Sequence, residues 1–368
     1  MKSLHILADD LTGALDCAAA FGAGVPVHLG QPAAESKGTI DIVATATRDV
    51  PLAELSDLLH PSLNWLCDAG VAFKKIDSLL RGNTFDEVDW LARHGGFRGL
   101  AMTPAFPAQR RITKNGQQWW KQTEGSAAPV AESITHSLQT RGWPVATGRD
   151  APSLQDGPVA WVPDVLNDQD LDTVAAYAFE MPGWLWCGSA GLAHALSRRM
   201  PVRPQSTLHT PASGQVLLVS ASHHAVTREQ WRVLRESSLS ASCVSGEDPR
   251  SLKFEATDRP LLIDLSSTEQ LSPSAAARLL RDQCLTIARQ APRPRTLVVV
   301  GGDTLLALCQ ALGASSLTSD TAMDRPGWGC ARLSGGVWDG VMCHTRSGAF
   351  GSAQDLLEVV SRLQEDVG

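Results

Sequence analysis

The sequence predicts an α/β protein of two domains, each a mainly parallel sheet flanked by helices, with an interdomain cleft. Three observations carry that expectation. Short apolar runs alternate with helical, amphipathic stretches, the spacing of βαβ units. The rhythm breaks at residues 200–214, MPVRPQSTLHTPASG, a proline-rich stretch with few large apolar residues, and then restarts. The length, 368 residues, suits about two domains of roughly 100–200 residues each. The expected division is a first domain over 1–200, a linker over 201–214 and a second domain over 215–368.

In order, Leu4–Ala8 reads as a strand and Thr12–Phe21 as an alanine-rich helix. Val25–Leu29 and Ile42–Thr45 read as strands, Pro51–Leu66 as a helix, Val71–Ile76 as a strand, Phe85–Arg93 as a helix and Gly99–Thr103 as a strand. Residues 104–160 lose the pattern; loops and one helix near Ala131–Gln139 are expected. Helix Asp168–Phe179, strand Trp184–Cys187 and a helix ending near Arg198 complete the first half. The second half reads as strand Val216–Ser220, helix Thr227–Glu236, strand Leu261–Leu265, helix Ser274–Gln290, strand Leu297–Val300 and helix Thr304–Leu312. A glycine-scattered hairpin or loop over Trp328–His344 follows, then a last helix over Ala353–Leu363. In such sheets ligands bind beyond the C-terminal ends of the strands, so the loops after the strands are where chemistry belongs.

Composition narrows the classes. A hydrophobic share of 43% and a charged share of 19% describe a globular chain, not a disordered one. Net charge is −7 and no basic run stands out, so a nucleic-acid partner is not expected. No apolar stretch reaches about 18 residues, so no membrane span is expected. The start, Met1 to Ala8, lacks the pattern of a secretory leader, which points to the cytoplasm. Eight cysteines, none in a C-x-x-C pair, read as buried thiols in a reducing compartment.

Several constellations follow predicted strands. Asp9 and Asp10 stand together before a helix; one acid can cap the helix, whereas two suggest substrate hydroxyls or a general base. The run Lys74-Lys75-Ile76-Asp77-Ser78-Leu79-Leu80-Arg81 concentrates cations, a carboxylate, a hydroxyl and a guanidinium. Arg81 can grip a carboxylate with two parallel bonds, and Arg48 lies past another strand end. Gly301-Gly302-Asp303-Thr304 joins an apolar strand to a helix start, a phosphate-cradle pattern that is neither a Walker A loop nor a dinucleotide fingerprint. The bland reading is a tight turn with Asp303 as helix cap. Thr345–Gly351 repeats the pattern, with Arg346 adding charge. Ser220-Ala221-Ser222-His223-His224 suits a nucleotide site better than a metal, because adjacent histidines lack a third ligand at zinc spacing. Gly188-Ser189-Ala190-Gly191 reads as a strand-to-helix turn and not a nucleophile elbow.

Six segments occur together in order: ADDLTGALD at 8–16, KKIDSLLRGN at 74–83, PAFPAQRR at 104–111, CGSAGLA at 187–193, GGDT at 301–304 and TRSGAFG at 345–351. In this the chain resembles the four-carbon acid sugar kinases, over nearly its whole length. The resemblance implies a first domain that binds threonate, erythronate or 3-oxo-tetronate and a second that binds ATP, with Mg²⁺. It implies Asp10, Arg48, Asp77, Ser78, Leu79, Leu80 and Arg81 on the substrate, and Ser222, Gly301, Gly302, Asp303, Thr304 and Gly348 on ATP. Asp10 or Asp9 would take the proton of the attacking hydroxyl; Asp303 would hold the metal indirectly or be the base itself. The partners expected are the acid, ATP and, for assembly, a second copy of the chain. The sequence departs from the family pattern at Leu79, where Thr is usual, at Thr84 and Phe85, at Arg346, where Lys is usual, and at Ala349. A diverged sugar-acid-binding or sensor protein of the same fold is the alternative, and a dehydrogenase is disfavoured because the loop after the first strand has one glycine where a dinucleotide needs three.

Overall fold

The computed structural model describes residues 2–33, 38–121, 126–130, 132–152, 157–200, 215–246, 248, 254, 259–320 and 328–365. The chain divides into two compact units, Met1–Pro204 and Gln205–Gly368. The linker expected at 201–214 lies outside the described residues.

The first unit runs β1 (Leu4–Ala8), α1 (Leu11–Ala20), β2 (Pro26–Leu29), β3 (Ile40–Ala44), α2 (Leu52–Cys67), β4 (Val71–Lys75), α3 (Thr84–His94) and β5 (Gly99–Thr103). It continues with β6 (Arg111–Lys114), β7 (Gln117–Lys121), β8 (Ala127–Pro129), α4 (Ile134–Gln139), β9 (Val145–Gly148), β10 (Val159–Pro163), α5 (Asp168–Glu180), β11 (Trp184–Gly188) and α6 (Ala190–Ser197). Its main sheet has the order β2-β3-β1-β4-β11-β5-β10-β9, with every described pairing parallel. Strands β1, β3, β4, β5 and β11 are almost entirely buried, which is why they read as near-continuous apolar runs. Leu59, Leu66, Val88, Leu91, Ile134 and Leu138 from the helices pack on this sheet with Leu7, Val43 and Leu100.

Residues 104–160 are more ordered than the sequence predicts. Strands β6, β7 and β8 form a small antiparallel sheet. Their strands are short and polar, so hydrophobic periodicity does not reveal them. A turn pattern does: Asn115 and Gly116 join β6 to β7 with φ of 51° and 70°, the left-handed pair of a tight hairpin. Thr113 exchanges backbone hydrogen bonds with Val165, tying the hairpin to the chain just after β10.

The second unit runs β12 (Val216–Ser220), α7 (Ala225–Glu236), β13 (Cys243–Ser245), β14 (Leu261–Asp264), α8 (Pro273–Gln290), β15 (Thr296–Val300), α9 (Gly302–Leu312), β16 (Ser316–Ser319), β17 (Gly329–Ser334), β18 (Met342–Arg346) and α10 (Asp355–Glu365). Its strands have the order β13-β14-β12-β15-β18-β17-β16. The pairings are parallel from β13 to β18 and antiparallel from β18 through β17 to β16. Leu218, Val298, Val300, Trp231, Leu234, Leu356 and Val360 form its core. The eight cysteines are all unpaired thiols, most of them buried. Among the described residues no helix is long and apolar enough to cross a membrane.

Candidate functional site

Register explains why distant motifs meet. In the first unit Ala8 lies opposite both Ala44 and Lys75, and Lys75 lies opposite Gly188. The C-terminal ends of β1, β3, β4 and β11 therefore form one row, and the loops beginning at Asp9, Thr45, Ile76 and Ser189 emerge side by side.

Asp10 is the N-cap of α1, accepting from the Gly13 N–H at 3.2 Å and from the Thr12 hydroxyl at 2.5 Å. Asp9 does not cap the helix. Its carboxylate is buried and receives Arg48 Nε at 2.8 Å and Nη2 at 3.1 Å, while Nη2 also reaches Asp10 Oδ1 at 2.7 Å. The Lys75 ammonium lies beside Asp10 in the space left by the missing side chain of Gly13. Burial pushes the Asp10 carboxyl up, but the charges of Lys75 and Arg48 outweigh it, and the net shift is downward. For Lys75 burial acts downward and is outweighed by Asp10 and Asp9, so its pKa rises. Lys74 points to the other face of β4, where it pairs with Glu87 at 2.5 Å in the core.

Asp77 and Arg81 close on each other. The Arg81 backbone N–H, Nε and Nη2 all donate to the Asp77 carboxylate, at 3.1, 2.7 and 2.9 Å. Burial raises the Asp77 pKa, yet the Arg81 hydrogen bonds and the charge of Arg48 hold it at about 2. The Arg81 side chain is 63% exposed and its fork is taken up by Asp77. Leu80 sits in the left-handed region at φ 58°, and Ser78 and Leu80 are buried while Leu79 is half-buried. Asn83 fixes this loop to the one carrying Arg48, its N–H donating to the Arg48 carbonyl at 2.9 Å and its side chain to the carbonyls of Thr47 and Val50.

Three residues of this neighbourhood were not singled out as site residues from sequence. Arg111, at the start of β6, donates from Nη1 to the Ser78 hydroxyl. Gln118 on β7 donates to the Ser78 carbonyl at 3.1 Å and accepts from Thr113 at 2.8 Å. Ser189 caps α6 and donates to the Ala105 carbonyl at 2.7 Å, which makes the strand-to-helix turn there a structural one. The small sheet thus lies against the loop after β4.

In the second unit Ser220 lies opposite Val300 and Asp264, and Val300 lies opposite Arg346. The loops after β12, β15, β14 and β18 therefore share one edge. A cavity of about 680 Å³ opens there, lined among others by Ser222, Gly301, Gly302, Asp303, Thr304 and Gln283. The cap position of α9 belongs to Gly301, at φ 105°, with no side-chain cap, so the reading of Asp303 as cap is corrected. A side chain at Gly301 would be strained, and the first-turn N–H groups of α9 have no acceptor within the helix. Gly348 touches this edge from β18: a methyl group there would strike the Ser222 hydroxyl, and the Gly348 carbonyl accepts from Thr227 at 2.7 Å. These are the features of a phosphate cradle and fit a nucleotide.

The reading of Arg346 is corrected. Arg346 offers no charge to a phosphate: it is 2% exposed, bonds to the Phe350 carbonyl and Gln230, pairs with Asp355 at 3.2 Å and stacks on Trp328. Its side chain holds the final loop onto the core. His224 is the N-cap of α7, its ring accepting from the Val226 N–H, and among the described residues no group of three or more His, Cys, Asp or Glu side chains could hold a metal.

Residues 4–142 match the family model of a sugar-binding N-terminal domain. The chain is 29% identical to a D-threonate kinase of Cupriavidus necator, over 85% of this chain and 86% of that one. It is 25% identical to a D-threonate kinase of Salmonella typhimurium, over 98% of both, and 24% identical to a D-erythronate kinase of Heliobacterium modesticaldum, over 96% and 95%. Its fold is similar to that of a Salmonella typhimurium LT2 crystal structure, with a TM-score of 0.74, 19% identity and 98% coverage of both chains. A Haemophilus influenzae structure from a family described only as a domain of unknown function follows at a TM-score of 0.68, 17% identity and coverage of 98% and 100%. Within its first unit the chain thus matches a sugar-binding domain model, and along its length it is similar to kinases of four-carbon sugar acids.

Proposed function

We propose that the protein is a kinase that transfers the γ-phosphoryl group of ATP, with Mg²⁺, to a hydroxyl of a four-carbon sugar acid of the threonate, erythronate or 3-oxo-tetronate type. The observation that carries this reading is the cavity beside Gly301–Thr304 and Ser222, in a chain whose residues 4–142 match a sugar-binding domain model. In the second unit the N–H groups at the start of α9 would hold the phosphates, with Ser222 and Gly348 closing the edge and Asp303 on the side of the metal. In the first unit Asp10, Arg48 and the loop from Asp77 to Arg81 would surround the acid.

ATP supplies the phosphoryl group and ADP as leaving group. The acid's hydroxyl oxygen forms the new P–O bond, the bond to the bridging oxygen of ADP breaks, and the hydroxyl proton goes to a carboxylate. We assign that proton to Asp10 over Asp9, because Asp10 is 19% exposed and Asp9 is 2% exposed and fully engaged by Arg48. Asp10 is ionised at neutral pH, and a loose transition state demands little basicity from it. Use of ATP also argues for work in the cytoplasm. The test is ADP release from the purified protein over a panel of four-carbon acids, with and without Mg²⁺. Acid-dependent ADP release is expected; acid binding without ADP release would make the protein a sensor and refute the kinase reading.

A further inference from the structure

We infer that Arg111 anchors the carboxylate of the acid substrate and is the residue that makes the site prefer an acid to a neutral polyol. The inference rests on the proposed function and deepens it. Its basis is how the charges pair in the strand-end cluster of the first unit. Four carboxylates, Asp9, Asp10, Asp16 and Asp77, stand against four cations, Arg48, Lys75, Arg81 and Arg111. Arg48 spans Asp9 and Asp10, Lys75 lies beside Asp10, and Arg81 spends both arms on Asp77. Among the described residues no carboxylate forms an ion pair with Arg111, so of these cations it is the one open to a carboxylate brought by a ligand.

Its donors tell the same story. Arg111 Nη1 donates to the Ser78 hydroxyl, while its Nε is buried with no hydrogen-bond partner. A buried guanidinium N–H without an acceptor is costly, and a planar fork with an unused N–H is the shape that a carboxylate completes. Burial lowers the Arg111 pKa, and Asp77, the carboxylate acting against that, is held by Arg81.

The fold also holds Arg111 rigidly, as a specificity residue requires. Its backbone exchanges two hydrogen bonds with Phe106, at 2.8 and 3.1 Å, and Arg110 before it turns the chain at φ 60°. Gln118 clamps the same loop at the Ser78 carbonyl. The carboxylate end of the acid would then lie by Arg111 and Ser78, leaving its hydroxyls for Asp10 and Arg48. This also gives the small antiparallel sheet a role: it delivers to the site a cation that no carboxylate of the cluster holds in an ion pair.

The test compares D-threonate with its neutral counterpart D-threitol on the full-length wild type, Arg111→Gln and Arg111→Lys. For each, the ratio of kcat/KM for acid over polyol is measured, together with the calorimetric Kd of D-threonate without ATP. The expected result for Arg111→Gln is a fall of at least about tenfold in the ratio, with D-threitol changed less than about twofold and the KM for ATP unchanged. Arg111→Lys, which keeps the charge but not the fork, should recover part of the loss and serves if the Gln variant does not fold. Equal losses for acid and polyol would mean that Arg111 only positions Ser78, and no loss would mean that it is idle; either overturns the inference. Wild type that binds D-threonate but releases no ADP refutes the kinase reading, and the calorimetric arm still decides Arg111. Wild type that binds no four-carbon acid overturns both.

Discussion

Replacing Arg48 by Ala removes the group that neutralises two neighbouring carboxylates. Three hydrogen bonds, at 2.8, 3.1 and 2.7 Å, are lost at once, and Asp9 and Asp10 are left with Lys75 as their nearest cation. Removing one partner of a buried ion pair costs about 3–5 kcal/mol. The Arg48 side chain is 17% exposed and that of Asp10 is 19% exposed, so water recovers part of this. A loss of about 2–4 kcal/mol remains, or a fall of about 4–16 °C in the Tm of the first unit. The pH dependence gives an internal check. Asp10 has a depressed pKa in the folded protein, so its contribution is present above its unfolded value and fades as pH falls. Without Arg48, Asp10 takes up a proton more readily, and the gap between wild type and variant should narrow from pH 7 toward about pH 4. Thermal melts of the full chain across that range, with the KM of the acid at pH 7, are the assay. A Tm loss below about 2 °C at pH 7, or a gap that widens on acidification, would refute the ion-pair account.

Gly302→Val should raise the KM for ATP at least about tenfold and leave acid binding intact, because the backbone at the start of α9 must approach a phosphate; an unchanged ATP affinity in a folded variant would sink that assignment. Gly348→Ala places a methyl group against the Ser222 side chain, so overpacking of about 1–3 kcal/mol should appear as a lower Tm together with a higher KM for ATP. Arg81→Lys should raise the KM for the acid about tenfold, since Asp77 loses its two-armed partner and its pKa climbs from about 2, while the KM for ATP changes little. If the ATP value rises and the acid value does not, the division of labour between the two units is wrong.

Strands buried on both faces, such as β1, β5 and β12, are readable from the chain itself because burial demands unbroken apolar runs, and their limits agree with the reading at Leu4–Ala8, Gly99–Thr103 and Val216–Ser220. Motifs placed directly after such strands inherit that certainty: Asp9, Asp77, Ser222 and Gly301 must lie at strand ends because their strands end there. Two kinds of fact escape a local reading. One is the short polar hairpin of β6 and β7, where only the Asn115–Gly116 turn speaks for strands. The other is pairing over distance. Arg48 lies 39 residues from Asp9, and the two meet because β1 and β3 pair with Ala8 opposite Ala44. Arg346, set among glycine and serine, has the local context of a phosphate ligand, yet Gln230 and Asp355 draw it into the core. Arg81 has the local context of a substrate ligand, yet its nearest carboxylate is Asp77, four residues away. Residue type and order thus determined which polar groups stand at which strand ends; only the tertiary structure decided which charges pair with one another, and that among the described residues Arg111 has a hydroxyl partner, Ser78, but no carboxylate in an ion pair.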